Sequence, residues 1–181
     1  TAFAEKTGRK LAMEVEPGTY IMANAGYLVT SVIDLKGTGP SGFEFIVLDG
    51  GMEVNTRPLL YGSRHPFYVI ARDGKLLSSE FALDQAAGQL DQRIVVGRCC
   101  ESGDSQTLDA GGHISTRVMA HPSTGDFVVI GGAGAYCASM SPFNYNSHVQ
   151  SPEVLVRADG SLQQIRRRQT LAQIVQNELP L

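Results

Sequence analysis

The sequence has no apolar run near the ~20 residues that a membrane-spanning helix requires. Its first residues, Thr1-Ala2-Phe3-Ala4-Glu5-Lys6, lack the pattern of a secretory signal. A cytoplasmic protein without a membrane partner is the expectation. Charge of one sign is also scarce: 15 basic residues face 18 acidic ones, a net charge of −3. That balance is too even for a basic nucleic-acid face, so no nucleic-acid partner is expected. There are only three cysteines, Cys99, Cys100 and Cys137. Three cannot all pair internally, and neighbouring cysteines make a poor staple, so reduced thiols are expected. His65, His113, His121 and His148 are scattered without ligand spacing, and no metal site is expected from them.

What is present suits one globular domain of ordinary size, with 43% hydrophobic residues available for a core. Residues 1–10 have helical composition, with Phe3 as anchor and Gly8 as a stop. Residues 11–15 read as a short strand, broken by Glu16-Pro17-Gly18-Thr19. From Gly26 the character changes to β-rich runs at 27–33, 43–48, 67–71, 93–96, 127–130 and 153–156, separated by Gly, Pro, Asp and Ser. The fold expected is mainly β with flanking α: the last helix and strand of an α/β barrel over 1–25, then a mostly antiparallel barrel or sandwich over 26–181. Asp73-Gly74 and Asp159-Gly160 carry a hairpin signal. Leu171, Ile174, Val175 and Leu179 recur at helical spacing, predicting a tail helix that closes the fold.

Four stretches hold chemistry-bearing residues. Cys99-Cys100-Glu101-Ser102-Gly103-Asp104 packs two thiols and two carboxylates into a turn directly after an apolar run. Glu16-Pro17-Gly18 puts a carboxylate beside a residue without Cβ, whose N–H an anion can approach closely, although taken alone a plain strand-to-loop turn is the favoured explanation. Gly131-Gly132-Ala133-Gly134-Ala135-Tyr136 lets something bulky lie against backbone. No Gly-Lys-Ser/Thr follows, so it is not a nucleotide P-loop, and close packing of two strands is the alternative. Asp49-Gly50-Gly51-Met52 leads to Arg57 and Tyr61, four residues apart; an arginine there can grip a carboxylate or phosphate, or form a surface ion pair. Arg166-Arg167-Arg168 reads as a solvated approach to an element and is assigned no site.

In this order, together with Leu60-Tyr61-Gly62, Ser139-Met140, Asn144-Tyr145-Asn146-Ser147 and Pro152-Glu153-Val154-Leu155-Val156, these motifs resemble the C-terminal part of diaminopimelate decarboxylases. Those belong to the fold-type III enzymes, with the ornithine and arginine decarboxylases, and use pyridoxal 5'-phosphate. The resemblance spans nearly the whole chain. It implies a homodimeric carboxy-lyase of amino-acid metabolism and lysine biosynthesis, releasing CO₂ from a diamino acid at a site shared between subunits. It also implies residue roles. Glu16 would pair with the pyridinium nitrogen, while Gly18 and Tyr136 would contact the cofactor phosphate. Arg57 and Tyr61 would hold a remote substrate carboxylate, and Glu101 a distal ammonium. Cys100 would be the acid that returns a proton to the carbanion across the dimer interface. Asp104 would fix the turn or meet the partner.

Three departures qualify the resemblance. Thr19 stands where the family motif usually has arginine, and Arg98 where proline is common two residues before the cysteine. The family's Schiff-base lysine has no counterpart among Lys6, Lys10, Lys36 and Lys75. The chain is therefore expected to be the C-terminal piece of a longer enzyme, inactive alone and dependent on an upstream barrel. Decarboxylation of D-ornithine, D-lysine or a siderophore or antibiotic precursor, or a catalytically silent dimerisation domain, are the alternatives.

Overall fold

The computed structural model describes residues 2–180. Ten residues form its central apolar cluster: Val32, Ile46, Leu48, Phe67, Val69, Val95, Met119, Ala120, Val128 and Ile130. Nearly all come from β-branched or aromatic runs in which alternate side chains point inward. The strands are β1 (Leu28–Gly37), β2 (Glu44–Leu48), β3 (Phe67–Ile70), β4 (Leu76–Ser79), β5 (Leu90–Val96), β6 (Arg117–Ala120) and β7 (Phe127–Ile130). They make one seven-stranded sheet in the order β4-β3-β7-β1-β2-β5-β6. Every pairing is antiparallel except β2 with β5, which run parallel with Phe45 opposite Ile94. The mainly β fold and its predominantly antiparallel sheet therefore agree with the reading of the sequence.

The sheet curls until its edge strands meet, and side chains rather than a β-ladder complete the closure. Arg117 of β6 reaches across to Glu80, just after β4, through Nε to Oε1 at 2.6 Å and through Nη2 to Oε2. The same guanidinium donates to the His65 carbonyl at 3.0 Å and lies over the Phe67 ring, 5.0 Å from its centroid. The Ala120 amide donates to Ser78 Oγ at 2.9 Å. Glu80 Oε2 also accepts from the Phe67 amide, so both charges are buried and multiply bonded.

The Asp-Gly turns form hairpins as expected: β3 returns as β4 through residues 71–75, and β8 (Glu153–Val156) returns as β9 (Leu162–Arg166). The second hairpin forms a separate two-stranded sheet, with Glu153 bonded to Arg166 at 2.9 Å. Helix α1 (Ala2–Thr7) occupies the expected place and ends at Gly8, whose φ of +68° suits a residue without Cβ.

Two expectations need correction. Residues 11–15 are exposed and form no strand, because among the described residues no strand runs beside them to take up their backbone groups. The tail helix α5 (Leu171–Ile174) is a single turn, capped at Thr170 by reciprocal bonds with Gln173, and it closes nothing. Leu171, Val175 and Leu179 remain 57–86% exposed, so the helical spacing marks an apolar stripe that finds no partner surface among the described residues.

Because Arg117 and Glu80 are each about nine-tenths buried, Arg117→Met should leave the Glu80 carboxylate with only the exposed Arg64, 3.6 Å away, as a cation and cost about 3–5 kcal/mol. The double variant with Glu80→Gln should recover a large part of that loss. Urea unfolding of the two variants checks this; a loss below about 1 kcal/mol in the single variant would contradict the closure described here.

Candidate functional site

The loops after β2 and β5 are held together by one carboxylate. Asp104 is 4% exposed; its Oδ1 accepts from the Met52 amide and its Oδ2 from the Cys99 amide, each at 2.7 Å. Glycine is required on both sides, since a Cβ at Gly51 would lie 2.0 Å and one at Gly97 2.4 Å from Asp104 Oδ1. Burial pushes the Asp104 carboxyl up, against the pull of its two amide donors. Asp104 thus fixes the turn, one of the two roles expected for it. Beside it the Asn55 amide donates to Gln106 at 2.9 Å, and Gln106 donates back to the Asn55 carbonyl, both residues being buried.

On this clamp the turn 99–103 is presented outward. Cys100 is exposed, and its amide donates to Asn146 Oδ1 at 2.8 Å. Glu101 accepts from Tyr145 Oη at 3.1 Å, Ser102 Oγ at 3.2 Å and the Gly103 amide at 3.2 Å. These donors, the Gly103 amide first, hold its carboxyl below the usual range, while the bond to Glu101 pushes the Tyr145 phenol up. Cys99 points the other way. Its thiol meets Glu53 Oε2 at 3.4 Å, and burial together with the Glu53 and Asp104 charges pushes it far up. All three cysteines are free thiols.

A second cluster forms around helix α3 (Arg57–Tyr61). The Arg57 guanidinium lies 5.2 Å from the centroid of the Tyr61 ring and 5.3 Å from that of Tyr136. Among the described residues it has no carboxylate and no hydrogen-bond acceptor, so the surface ion pair weighed for it is not formed. Helix α3 is anchored where the Thr56 amide donates to Ser141 Oγ at 3.2 Å, and it ends at Gly62, whose φ is +59°. Tyr136 precedes helix α4 (Cys137–Met140) with a φ of +65°, a conformation costing a side-chain-bearing residue about 1–3 kcal/mol and typical of functional sites.

The small residues at 131–136 answer to two contacts: Gly131 packs against Pro66 and Tyr68 at the start of β3, and Gly134 brings the loop against a helical segment. The Gly134 amide donates to the Ala23 carbonyl and the Ala133 amide to the Gly26 carbonyl, each at 2.9 Å, and a Cβ on Gly134 would sit 2.1 Å from the Met22 carbonyl oxygen. This ties the Tyr136 loop to the segment containing helix α2 (Gly18–Met22), and so joins the stretches that carry Gly18 and Tyr136. Glu16 is exposed, and its carboxylate has no partner among the described residues. One detail differs from expectation: the Gly18 amide donates to the Glu16 carbonyl at 2.9 Å rather than standing free for an anion.

The expected residues therefore fall into two groups, Arg57 with Tyr61 and Tyr136, and Cys100 with Glu101. The structure links them only indirectly: the Leu59 side chain of α3 packs where a Cβ on Gly103 would lie, 2.5 Å away. A groove of about 620 Å³ beside the β1–β2 turn, lined by Gly37, Phe43, Glu44 and Asp91, contains none of them. Tyr145 and Asn146, which the sequence shows only as part of a motif, orient Glu101 and Cys100. Glu53 carries no signal in the sequence, because a lone acid in Met52-Glu53-Val54 has neither periodicity nor spacing to mark it. Nor does the scatter of histidines survive folding, for His148 lies beside Cys99 and Glu53.

Residues 19–134 match the family described as pyridoxal-dependent decarboxylase, C-terminal sheet domain. The chain belongs to that family. It is 37% identical over 176 residues to the diaminopimelate decarboxylase of Escherichia coli K12, covering 97% of this chain and 39% of that protein. A diaminopimelate decarboxylase crystal structure superposes with a TM-score of 0.80 at 36% identity, covering 97% of this chain and 39% of that one. That of Helicobacter pylori, complexed with L-lysine, gives 0.68 at 26% identity, covering 88% and 33%. The chain thus spans about two-fifths or less of these pyridoxal-dependent relatives.

Asp104→Ala should leave the Met52 and Cys99 amides without an acceptor and lower stability by about 2–4 kcal/mol. Gly97→Ala should destabilise as well, by steric collision with the same carboxylate. Chemical unfolding with fluorescence or circular dichroism detection reads both, and a neutral Asp104→Ala would remove Asp104 from the role given to it.

Proposed function

We propose that this chain is the C-terminal part of a pyridoxal-phosphate-dependent decarboxylase that releases CO₂ from a diamino acid with a second carboxylate, diaminopimelate in type. In this reading it works with an upstream α/β barrel that carries the Schiff-base lysine, residues 1–25 being the end of that barrel and 26–181 the sheet domain. The observation that carries the reading is Arg57, a guanidinium held between two tyrosine rings with its donors unspent. Arginine fits a carboxylate with two parallel hydrogen bonds. A diamine-type substrate offers nothing to such a group, which favours diaminopimelate over D-ornithine or D-lysine.

The residues present fit the cofactor. Gly18 has open space where a Cβ would be and a φ that any residue adopts, so neither packing nor conformation within this chain explains the glycine. The Tyr136 hydroxyl and the Glu16 carboxylate lack hydrogen-bond partners among the described residues. Glu16 would hold the pyridinium nitrogen, with Gly18 and Tyr136 on the phosphate side. When bound, pyridoxal phosphate supplies the sink for the electrons left behind as CO₂ departs.

The chain's own residues supply the rest. Arg57 and Tyr61 orient the substrate through its remote carboxylate. Glu101, held ionised by Tyr145, Ser102 and Gly103, receives the distal ammonium. Cys100 would give its thiol proton to the carbon that lost CO₂. The Cys100–Glu101 pair stands apart from the Arg57 cluster, which is consistent with a homodimer whose partner subunit donates the thiol. A cytoplasmic location is part of the same reading.

The test uses the full-length enzyme and CO₂ release from meso-diaminopimelate and D-lysine. Arg57→Ala should lower kcat/KM for diaminopimelate by about 10–100-fold, chiefly through KM. Cys100→Ala should lower kcat by about 10²–10⁴-fold. Equal use of D-lysine by the unaltered enzyme would overturn the substrate assignment. Full activity of Cys100→Ala would overturn the role of the thiol.

A further inference from the structure

Beneath the outward-facing turn lies a set of groups that the proposed reaction does not use. Glu53 comes from the loop after β2, Cys99 from the turn after β5, and His148 directly follows the turn 145–147. Their ligand atoms all lie within 4.8 Å of one another. Glu53 is 4% exposed, yet its Oε1 has no hydrogen-bond partner. Among the described residues the cation paired with that oxygen is Arg98, whose Nε is 3.4 Å away outside hydrogen-bonding geometry and whose side chain is 31% exposed. The other oxygen accepts from the Gly51 amide at 2.8 Å and from the Cys99 thiol at 3.4 Å. Asp104 adds a second buried carboxylate close by. Two buried carboxylates thus lie close together beside a thiol, an imidazole and one partly exposed guanidinium, a concentration of negative charge that a bound cation would relieve.

We propose that Glu53, Cys99 and His148 form a binding site for a zinc-like divalent cation, with water as the fourth ligand. Sulfur, imidazole nitrogen and carboxylate oxygen are the donor types that zinc accepts in tetrahedral geometry. Ligands about 2.0–2.3 Å from such an ion lie about 3.3–3.8 Å from each other, so the three groups need to close by roughly 1 Å. On binding, the Cys99 S–H bond breaks, a sulfur–metal bond forms and the proton passes to solvent, with no change of oxidation state. The ion would displace Arg98 from Glu53. It would also add a second tie between the turns already joined by the Cys100 amide and Asn146, thereby fixing the loop that carries Cys100.

Titration of the full chain with Co²⁺ tests the site. One equivalent should bind with thiolate-to-cobalt charge-transfer absorption, and Zn²⁺ should bleach it. Cys99→Ser should abolish that band, His148→Ala should weaken binding by about a hundredfold or more, and Cys100→Ser should leave the band in place. Where a variant fails to fold, the unaltered chain still decides: Zn²⁺ should protect Cys99 from alkylation, mapped by mass spectrometry, while Cys100 stays reactive. Absence of a thiolate band at one equivalent would overturn the site. So would a band that depends on Cys100 instead of Cys99, or a Cys99 that Zn²⁺ leaves unprotected. None of these readouts depends on decarboxylation, so failure here is distinct from failure of the proposed function.

Discussion

A buried carboxylate with a backbone amide on each oxygen is the constraint on which the candidate site rests. Asp104 accepts from Met52 and Cys99, and the glycines at 51 and 97 exist to let it in. An aspartate can do this because its two oxygens point in different directions from a short stem, so one side chain satisfies two loops at once. The consequence is mechanical. Residues 99–103 are fastened at their base, and the turn that carries the exposed thiol of Cys100 is tied to the end of the sheet.

The sheet beneath is itself closed by the Arg117–Glu80 pair, with the Ala120–Ser78 bond beside it. Arg117 spends its donors on Glu80 and the His65 carbonyl, linking the two edge strands where no ladder does. With the barrel closed in this way, the ends of β2 and β5, which run parallel and side by side, deliver the Gly51 and Gly97 loops to the same end of the sheet. The division of the candidate residues follows from that topology. The cysteine turn grows from β5, while Arg57 and Tyr61 sit on the helix after β2 and meet Tyr136 from the loop after β7. In the proposed enzyme the two clusters serve different copies of the site, which accounts for their separation within one chain.

Much of this was legible in the residues. The runs at 27–33, 43–48 and 127–130 are β-branched and bounded by turn formers, and all three became strands; the two Asp-Gly turns became hairpins. Strand β6 carries no signal, and β4 and β9 only that of the turns before them, since Leu76-Leu77-Ser78-Ser79 and Arg117-Val118-Met119-Ala120 are four residues long and partly polar, and Leu162-Gln163-Gln164-Ile165-Arg166 has no alternation. They are strands because a neighbour offers them hydrogen bonds, which is a tertiary cause. The reverse holds at residues 11–15 and at the tail, where local pattern favours an element that no neighbouring surface supports. Cys100, Glu101, Arg57 and Tyr136 were visible through motif order. Glu53, His148 and the orienting roles of Tyr145 and Asn146 depend on contacts between loops far apart in sequence, and no spacing rule reaches them.

In the proposed enzyme one subunit supplies the thiol and the other the carboxylate facing the cofactor ring. Subunit mixing of the full-length enzyme tests this most directly, with Cys100→Ala in one copy and Glu16→Ala in the other. Each homodimer should be nearly inactive. A random mixture should regain about a quarter of the unaltered activity, because half its dimers would carry one intact site of two. No recovery in mixtures shown to contain heterodimers would contradict the claim and place both groups in the same subunit's site.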